Sequence, residues 1–142
     1  MKISTRVRYG IKALAFLVSE GRQDKLVRIK EISEAENISI QYLEQILFKL
    51  KNEKIIEGKR GPSGGYKLLK SPAEITLHDL YRILDEDERV IDCNESQDGK
   101  HNCKENSCDD GCIWGQLDAA MTKILESTTL EDLVKNSKLI EE

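Results

Sequence analysis

The chain has 142 residues, enough for one ordinary domain or two small ones, and folding at this length buries roughly 70% of the unfolded surface. No apolar run approaches the length of a membrane span, and the opening MKISTRVRYG lacks the apolar core of a secretory signal, so we expect a cytoplasmic protein without a membrane partner. Residues 1–72 carry 15 Lys and Arg against 8 Asp and Glu, whereas residues 73–142 carry 7 against 18, a division that predicts a nucleic-acid-binding half joined to a sensing or assembly half.

The first predicted helix begins at a cap formed by Ser4 or Thr5 and ends at Gly21. Its apolar residues recur on one helical face, and they are Val7, Ile11, Leu14 and Val18. Basic residues lie on the other side of this helix, and they are Arg6, Arg8 and Lys12. This basic side is either an ordinary solvated face or a surface that contacts phosphates.

Two more helices are predicted close behind, from Ile29 to Glu36 and from Ile40 to about Asn52. Asn37 supplies the tight turn between them, because Asn tolerates the left-handed conformation, and Ser39 caps the later helix. That helix has an apolar stripe, and its outward face is polar, with Gln41, Tyr42, Glu44, Gln45 and Lys49. The pattern predicts a helix-turn-helix, whose second helix enters the major groove of DNA.

A β-hairpin is predicted directly after the third helix, with strands at residues 55–57 and 66–69 and a Gly-rich turn at residues 61–65. Lys59 and Arg60 make its tip basic, and an Arg at this place suits the narrow, electronegative minor groove. Gly64 and Gly65 would let the backbone approach another surface closely. A basic hairpin after a helix-turn-helix is typical of a wing, although a hairpin turn with no further role is the alternative.

The second half of the chain contains three predicted helices. A capping box at Thr76–Asp79 opens the first of them, and a wide apolar stripe predicts a long second helix over residues 113–127. The stripe is too apolar for a solitary surface helix, so we expect it to pair with the same helix of a second chain or to pack on the first helix. A last capping box begins at Thr129 and opens a short helix through Val134, followed by a fraying tail.

All four cysteines fall in one polar, Gly-containing segment, as Cys93, Cys103, Cys108 and Cys112. Four thiolates complete the coordination of a zinc ion or of an iron-sulfur cluster, although none of the spacings is the C-x2-C of common zinc sites. Disulfides would need an oxidising compartment, and inert thiols would lie among apolar neighbours. The segment therefore favours metal or cluster ligation, with redox-active thiols as the second hypothesis.

Several of these segments together resemble a family of iron-sulfur-responsive winged helix-turn-helix regulators that includes IscR, NsrR and the cluster-free CymR. The resemblance covers nearly the whole chain and rests on Arg8-Tyr9-Gly10, on ISIQYLEQ at residues 38–45, on RGPSGGY at residues 60–66 and on Leu130 to Val134. It implies a mainly α fold with a small β-hairpin wing. It also implies a homodimeric transcriptional repressor, not an enzyme, that binds a pseudo-palindromic double-stranded operator and governs iron-sulfur assembly or related redox and sulfur genes.

The resemblance also implies a division of the chain and a ligand set. Residues 1–72 would form the winged helix-turn-helix domain, and residues 73–142 would contain the cluster-binding loop (93–112) and the dimerisation helix. At the position of the His ligand in IscR stands Gly111, with Cys112 after it, so Cys112 joins the other three cysteines as the predicted fourth ligand and His101 is the fallback. A 2Fe-2S cluster is favoured, a 4Fe-4S cluster is possible, and zinc is the alternative.

The predicted DNA contacts fall into three groups. Phosphate contacts are assigned to Arg6, Arg8, Lys12 and Lys59. Contacts from the recognition helix are assigned to Ser39, Gln41, Tyr42, Glu44 and Gln45, and contacts from the wing to Arg60, Gly64, Gly65 and Tyr66. The resemblance implies that Glu44 makes operator choice depend on the cluster. The alternatives are the same regulator using its cysteines for zinc, thiol or nitric oxide sensing, a thiol redox enzyme, and an assembly partner whose wing binds protein.

Overall fold

A computed structural model describes residues 3–20, 25–85 and 113–140 of the chain. The elements of these residues, in chain order, are α1 (Thr5–Glu20), α2 (Ile29–Glu36), α3 (Ile40–Asn52), β1 (Ile56–Lys59), β2 (Gly65–Leu68), a 3₁₀ turn (Pro72–Glu74), α4 (Leu77–Leu84), α5 (Ile113–Ser127) and α6 (Leu130–Ile140). The architecture is therefore mainly helical with one antiparallel hairpin, as the sequence predicted.

Local side-chain chemistry sets the ends of the first three helices. The hydroxyl of Ser4 accepts a hydrogen bond from the amide of Val7 at 3.3 Å, so Ser4 caps α1. Asn37 ends α2 in the left-handed conformation (φ 53°, ψ 49°), and the hydroxyl of Ser39 accepts from the amide of Tyr42 at 3.3 Å to begin α3. The predicted bounds of α2 and α3 and both turn residues are confirmed.

The core is formed where α1, α3 and α4 meet, with α2, β1 and α6 packed around them. Fully buried side chains of this core include Leu14, Ile32, Leu43, Ile46, Leu47, Leu50, Leu80, Leu84 and Leu130. Gly10 lets α1 approach α4 closely, because a Cβ built at Gly10 would lie 2.2 Å from Cδ1 of Leu84 in α4. The crossing of α1 and α4 therefore depends on the absence of a side chain at residue 10.

The hairpin pairs β1 with β2 in antiparallel register, so that Ile56 lies opposite Leu68 and Lys59 opposite Gly65. Val27, in the connection before α2, adds a third short strand segment to β2. Its amide donates to the carbonyl of Tyr66 at 2.9 Å, and the amide of Tyr66 donates back at 2.7 Å. The hairpin is thus attached to the helical bundle on one side, which completes a winged helix-turn-helix.

Two capping boxes lie side by side at the starts of α4 and α6. In the first, the hydroxyl of Thr76 accepts from the amide of Asp79 at 3.1 Å; in the second, the amide of Thr129 donates to the carboxylate of Asp132 at 3.0 Å. The backbones of Thr76 and Thr129 form an antiparallel bridge between them. Helix α6 continues to Ile140, so the prediction that it ends at Val134 and then frays is wrong for the described residues.

Contacts on both the inner and the outer face of α6 stabilise the longer helix. Leu130 is fully buried and Val134 packs against the core, so the first turns of α6 are attached to the domain. On the outer side, Lys135 and Glu131 form an ion pair at 2.8 Å, which supports the helix one turn further. Of these stabilising features, the sequence analysis predicted the capping box.

Helix α5 packs against α4 and leaves a row of large apolar side chains in solvent. Ile113 is 59% exposed, Leu117 42% and Ile124 62%, at spacings that put them on one face. The predicted cysteine ligands Cys93, Cys103, Cys108 and Cys112, together with His101, lie outside the described residues, as does Gly21. In the three ranges that the structure covers, none of the helices is both long and apolar enough to cross a bilayer.

Candidate nucleic-acid interface

Helix α3 turns a polar face away from the core, and this face lines one side of an open groove. The groove has a volume of about 750 Å³ and is lined by Arg6, Gln41, Glu44, Gln45, Phe48 and Lys49. Arg6 comes from the first turns of α1 and the other five from α3. The fold therefore brings a predicted phosphate-contacting residue against three predicted base-contacting residues that lie 35 or more positions later in the chain.

The other basic residues of α1 are also at the surface. Arg8 and Lys12 are exposed on α1, although neither lines the groove beside Arg6. They widen the cationic surface around α1, which is the kind of surface that attracts a phosphate backbone.

Tyr42 differs from the exposed residues of α3 because its ring packs against another helix of the domain. It is half-buried, and its ring meets that of Tyr9 on α1 edge to face, with 5.6 Å between centroids and an interplanar angle of 89°. Such pairs contribute about 0.5–1.5 kcal/mol beyond the area they bury. Tyr42 therefore braces α3 against α1, beside the exposed side chains of Ser39 and Gln41.

The wing places Lys59 and Arg60 in solvent at its tip, as predicted for residues that would reach DNA. Gly64 and Gly65 of the wing have roles inside the hairpin. A Cβ at Gly64 would lie 2.1 Å from the carbonyl oxygen of Lys59, and one at Gly65 (φ +157°) would lie 2.7 Å from the carbonyl oxygen of Val27. Their small size is thus already required by the hairpin and its pairing with Val27.

Arg28, at the N-cap of α2, contacts the wing and was missed by sequence reasoning. Its guanidinium Nη2 donates to the carbonyl of Pro62 in the wing turn, and its backbone amide donates to Glu31 at 2.8 Å in the first turn of α2. Residue 28 falls in a short polar connection, and a contact across 34 positions leaves no periodic signal in a sequence. Arg28 joins the start of the helix-turn-helix to the tip of the wing.

Phe48 is a second residue that sequence reasoning missed. It lies in the groove and is 64% exposed, although it is a large aromatic side chain. Its exposure could have been predicted from the sequence. Phe48 stands seven positions after Gln41, which places it on the polar face of α3 and outside the apolar stripe.

The start of α6 contains a carboxyl group with a shifted pKa. Hydrogen bonds from the backbone and hydroxyl of Thr129 lower the pKa of Asp132, which lies at the start of α6. Among residues 3–20, 25–85 and 113–140, no three His, Cys, Asp or Glu side chains come close enough together to hold a metal ion.

Comparison with known proteins agrees with this geometry. Residues 3–136 match the family model Rrf2, described as an iron-dependent transcriptional regulator. The HTH-type transcriptional regulator IscR of Cereibacter sphaeroides is 31% identical over 137 residues, which are 96% of this chain and 88% of that protein. Both the family match and this relative extend across the helix-turn-helix, the wing and the helices that follow.

Solved structures give the same relationship. The structure of CymR, the global cysteine regulator of B. subtilis, superposes with a TM-score of 0.76 at 30% identity, covering 95% of this chain and 97% of that one. IscR of T. potens superposes with a TM-score of 0.73 at 25% identity, covering 100% and 92%. The resemblance stated from the sequence is confirmed. The chain therefore belongs to the Rrf2 family of iron-dependent transcriptional regulators and is a regulator of transcription rather than an enzyme.

Proposed function

We propose that this regulator is a cytoplasmic homodimeric repressor that binds a pseudo-palindromic double-stranded operator under the control of an iron-sulfur cluster. The observation that carries the DNA-binding part is the groove in which Arg6 of α1 meets Gln41, Glu44 and Gln45 of α3. A cation beside a row of amide and carboxylate groups matches a phosphate beside base edges. In this proposal α3 enters the major groove and the wing reaches the adjacent minor groove.

Each group of predicted contacts then has a distinct task. Phosphate contacts would come from Arg6, Arg8, Lys12 and Lys59, and Ser39 at the start of α3 would join them. Amide side chains of α3 would read base edges, and Glu44 would accept a hydrogen bond from a cytosine amino group. Tyr42 would hold the angle of α3, while Arg60, Gly64, Gly65 and Tyr66 would form the wing contact.

The dimer is supported by the exposed row on α5. Ile113, Leu117 and Ile124 lie in solvent along one side of a helix whose packed neighbour is α4. Exposed apolar rows of this kind mark protein interfaces, and a two-fold axis lets the same helix of a second copy cover them. Operator half-sites about one turn of DNA apart, roughly 34 Å, would then match two recognition helices related by that axis.

The cysteine segment is suited to a cluster by its chemistry and by where its ends lie. Cys93, Cys103, Cys108 and Cys112 supply four thiols, the donor set of 2Fe-2S and 4Fe-4S clusters, and His101 offers one imidazole as a fallback. The segment leaves the end of α4 and returns at the start of α5, two helices that pack together. Ligands held there would act on the helix that carries the proposed dimer face.

A second candidate is the same regulator without a cluster, with its cysteines holding zinc or sensing thiol oxidation or nitric oxide directly. The similarity to CymR favours this candidate, because CymR is 30% identical over 95% of this chain, close to the 31% over 96% found for IscR. The DNA-binding half of the proposal is the same in both cases.

Anaerobic purification separates the two candidates. Iron, labile sulfide and zinc should be assayed together with the visible spectrum, on the wild-type protein and on Cys112→Ala and His101→Ala. Brown protein containing iron and sulfide, weakened in Cys112→Ala and unchanged in His101→Ala, would support the cluster and its fourth ligand. Colourless protein with stoichiometric zinc, or with no metal after reconstitution, would contradict the cluster and favour the second candidate.

The DNA-binding part is tested separately by selecting duplexes from a random library and measuring affinity as a function of salt. We expect a selected motif with two-fold symmetry and a linear decrease of log affinity with log salt concentration. Failure to select any duplex would contradict the proposed operator binding, whatever metal the protein holds.

A further inference from the structure

Phe48 is the most exposed of the large apolar side chains on the helix-turn-helix, at 64%. Its neighbours in the groove are all polar or charged: Arg6, Gln41, Glu44, Gln45 and Lys49. Single exposed apolar side chains are common on protein surfaces, so the exposure of Phe48 is informative because of its place in this groove. The ring is available to whatever ligand the groove binds.

The position of Phe48 on α3 places it in register with the predicted base-contacting residues. Gln41, Glu44, Gln45 and Phe48 stand at i, i+3, i+4 and i+7, which is one face of a helix. Seven residues of α-helix rise about 10.5 Å, roughly the height of three stacked base pairs. The face can therefore span about three base pairs, with Phe48 at its far end.

Phe48 can make an apolar contact with a base but cannot form a hydrogen bond with one. The other three side chains offer amide and carboxylate groups, which match hydrogen-bonding atoms of base edges. The major groove contains one apolar group, the C5-methyl of thymine, and an aromatic ring is a suitable partner for it. The cationic residues Arg6 and Lys49 on the same groove favour a polyanion over an apolar protein partner for this surface.

We propose that Phe48 is a specificity-determining residue that contacts the C5-methyl of a thymine in each operator half-site. The inference rests on the proposed operator binding and adds to it an apolar contact with the thymine methyl group, which the amide and carboxylate side chains of α3 do not offer. Truncating the ring should therefore relax selectivity at one base pair in each half-site and leave the rest of the motif unchanged.

The test is a cycle in which ring and methyl group are removed separately. The motif is first selected from a random duplex library by the wild-type protein. Each selected thymine facing the recognition helix is then replaced by deoxyuridine, which removes the methyl group alone. Affinities are measured for wild type, Phe48→Ser, Phe48→Leu and Leu69→Ala, the last being a control at a 51% exposed apolar residue outside the groove.

We expect the wild type to lose about fourfold in affinity for each methyl group removed, and about fifteenfold for both half-sites. Phe48→Ser should bind the two operators equally, Phe48→Leu should keep part of the discrimination, and Leu69→Ala should behave like wild type. Elution volume in gel filtration shows whether Phe48→Ser keeps the oligomeric state of the parent.

Three results would overturn the inference. Equal methyl discrimination by wild type and Phe48→Ser would show that the ring does not read thymine, although operator binding would stand. A change of oligomeric state in Phe48→Ser would assign the ring to a protein interface. Failure of the wild type to select any duplex would remove the proposed operator binding as well, and only this result contradicts both.

Discussion

The rings of Tyr9 and Tyr42 meet edge to face, with 5.6 Å between their centroids, and this contact joins α1 to the helix of the candidate DNA interface. Tyr42 immediately follows Gln41, whose side chain lines the groove with Arg6. Because Arg6 and Tyr9 belong to the same helix, α1 supplies one groove residue and fixes the helix that carries the others. The aromatic pair therefore sets the geometry between a phosphate contact and the base contacts.

We expect Tyr9→Leu to weaken operator binding although residue 9 lies behind the groove. Loss of the pair should also lower the free energy of unfolding, with a coupling between Tyr9→Leu and Tyr42→Leu of about 1 kcal/mol in a double-mutant cycle. Urea unfolding measures the coupling, and fluorescence anisotropy on a labelled operator measures the affinity. Tyr42→Phe keeps both rings and is the matched control; a coupling near zero would contradict the bracing role.

Gly65→Ala should detach the wing from the helical bundle. A methyl group at residue 65 would lie 2.7 Å from the carbonyl oxygen of Val27, so the paired hydrogen bonds between Val27 and Tyr66 must lengthen or break. We expect a loss of more than about 1 kcal/mol in stability and fast hydrogen exchange at the amides of both residues. Gly115→Ala, where nothing lies within 4 Å, is the control, and equal effects of the two substitutions would refute the packing argument.

Arg60→Ala and Arg28→Ala should both weaken operator binding, but in different ways. Arg60 is exposed at the wing tip, so its loss should lower the slope of log affinity against log salt by about one. Arg28 holds the carbonyl of Pro62, so its loss should lower affinity by roughly threefold and leave that slope unchanged. Anisotropy titrations at four salt concentrations distinguish the two effects.

Lys30→Ala is the control for these titrations, because Lys30 is an exposed cation near Arg28 whose contact at 3.9 Å is with Glu34 on its own helix. Unchanged affinity of Arg60→Ala would exclude the wing tip from the interface. A change of slope in Arg28→Ala equal to that in Arg60→Ala would show that Arg28 meets phosphate directly.

Glu44→Ala should broaden the set of operators that the protein accepts. A carboxylate in the major groove is repelled by phosphates unless it accepts a hydrogen bond from a cytosine amino group. Removing it should raise affinity by about tenfold for operators that lack cytosine at that position, in protein purified without iron. A panel of operators differing at single base pairs measures this; Gln45→Ala is the control on the same face, and unchanged selectivity of Glu44→Ala would contradict the role.

The capping box at the start of α6 should give stability a dependence on acid pH. Hydrogen bonds from the backbone amide and hydroxyl of Thr129 lower the pKa of Asp132 from its ordinary value of 3.8. A lowered folded-state pKa stabilises the fold above the unfolded pKa, and this contribution disappears as the pH falls through the folded value. Asp132→Asn should therefore lower Tm at pH 6, and this difference should shrink as the pH falls below 3.8. A difference that does not change with pH would contradict the linkage.

The sequence was sufficient for the elements whose causes are local. Ser39, Asn37 and the Thr76 capping box each act within four residues, and their effects on helix ends were predicted correctly. The apolar stripe of α3 also predicted which of its faces is buried, because a helical period maps directly onto a face.

Contacts between distant parts of the chain could not be obtained from periodicity. Three such contacts join residues at least 33 positions apart. They are the pairing of Val27 with Tyr66, the hydrogen bond from Arg28 to Pro62 and the edge-to-face contact of Tyr9 with Tyr42. The exposure of Phe48 was also not predicted, although its spacing of seven residues from Gln41 places it on the polar face of α3. The prediction that the four cysteines bind a metal or cluster rests on the sequence, because these residues lie outside the part of the chain that the structure describes.

Gly10 and Leu84 fix the end of α4, after which the cysteine segment begins. Leu84, the last residue of α4, is fully buried against Gly10 with no room for a methyl group. Ile46 of α3 lies beside the same point, 3.6 Å from where that methyl group would be. The end of α4 is thus a stationary anchor, and we expect a mechanical signal from the cysteines to leave through α5, so that ligand loss changes the distance between two subunits before it changes the shape of either.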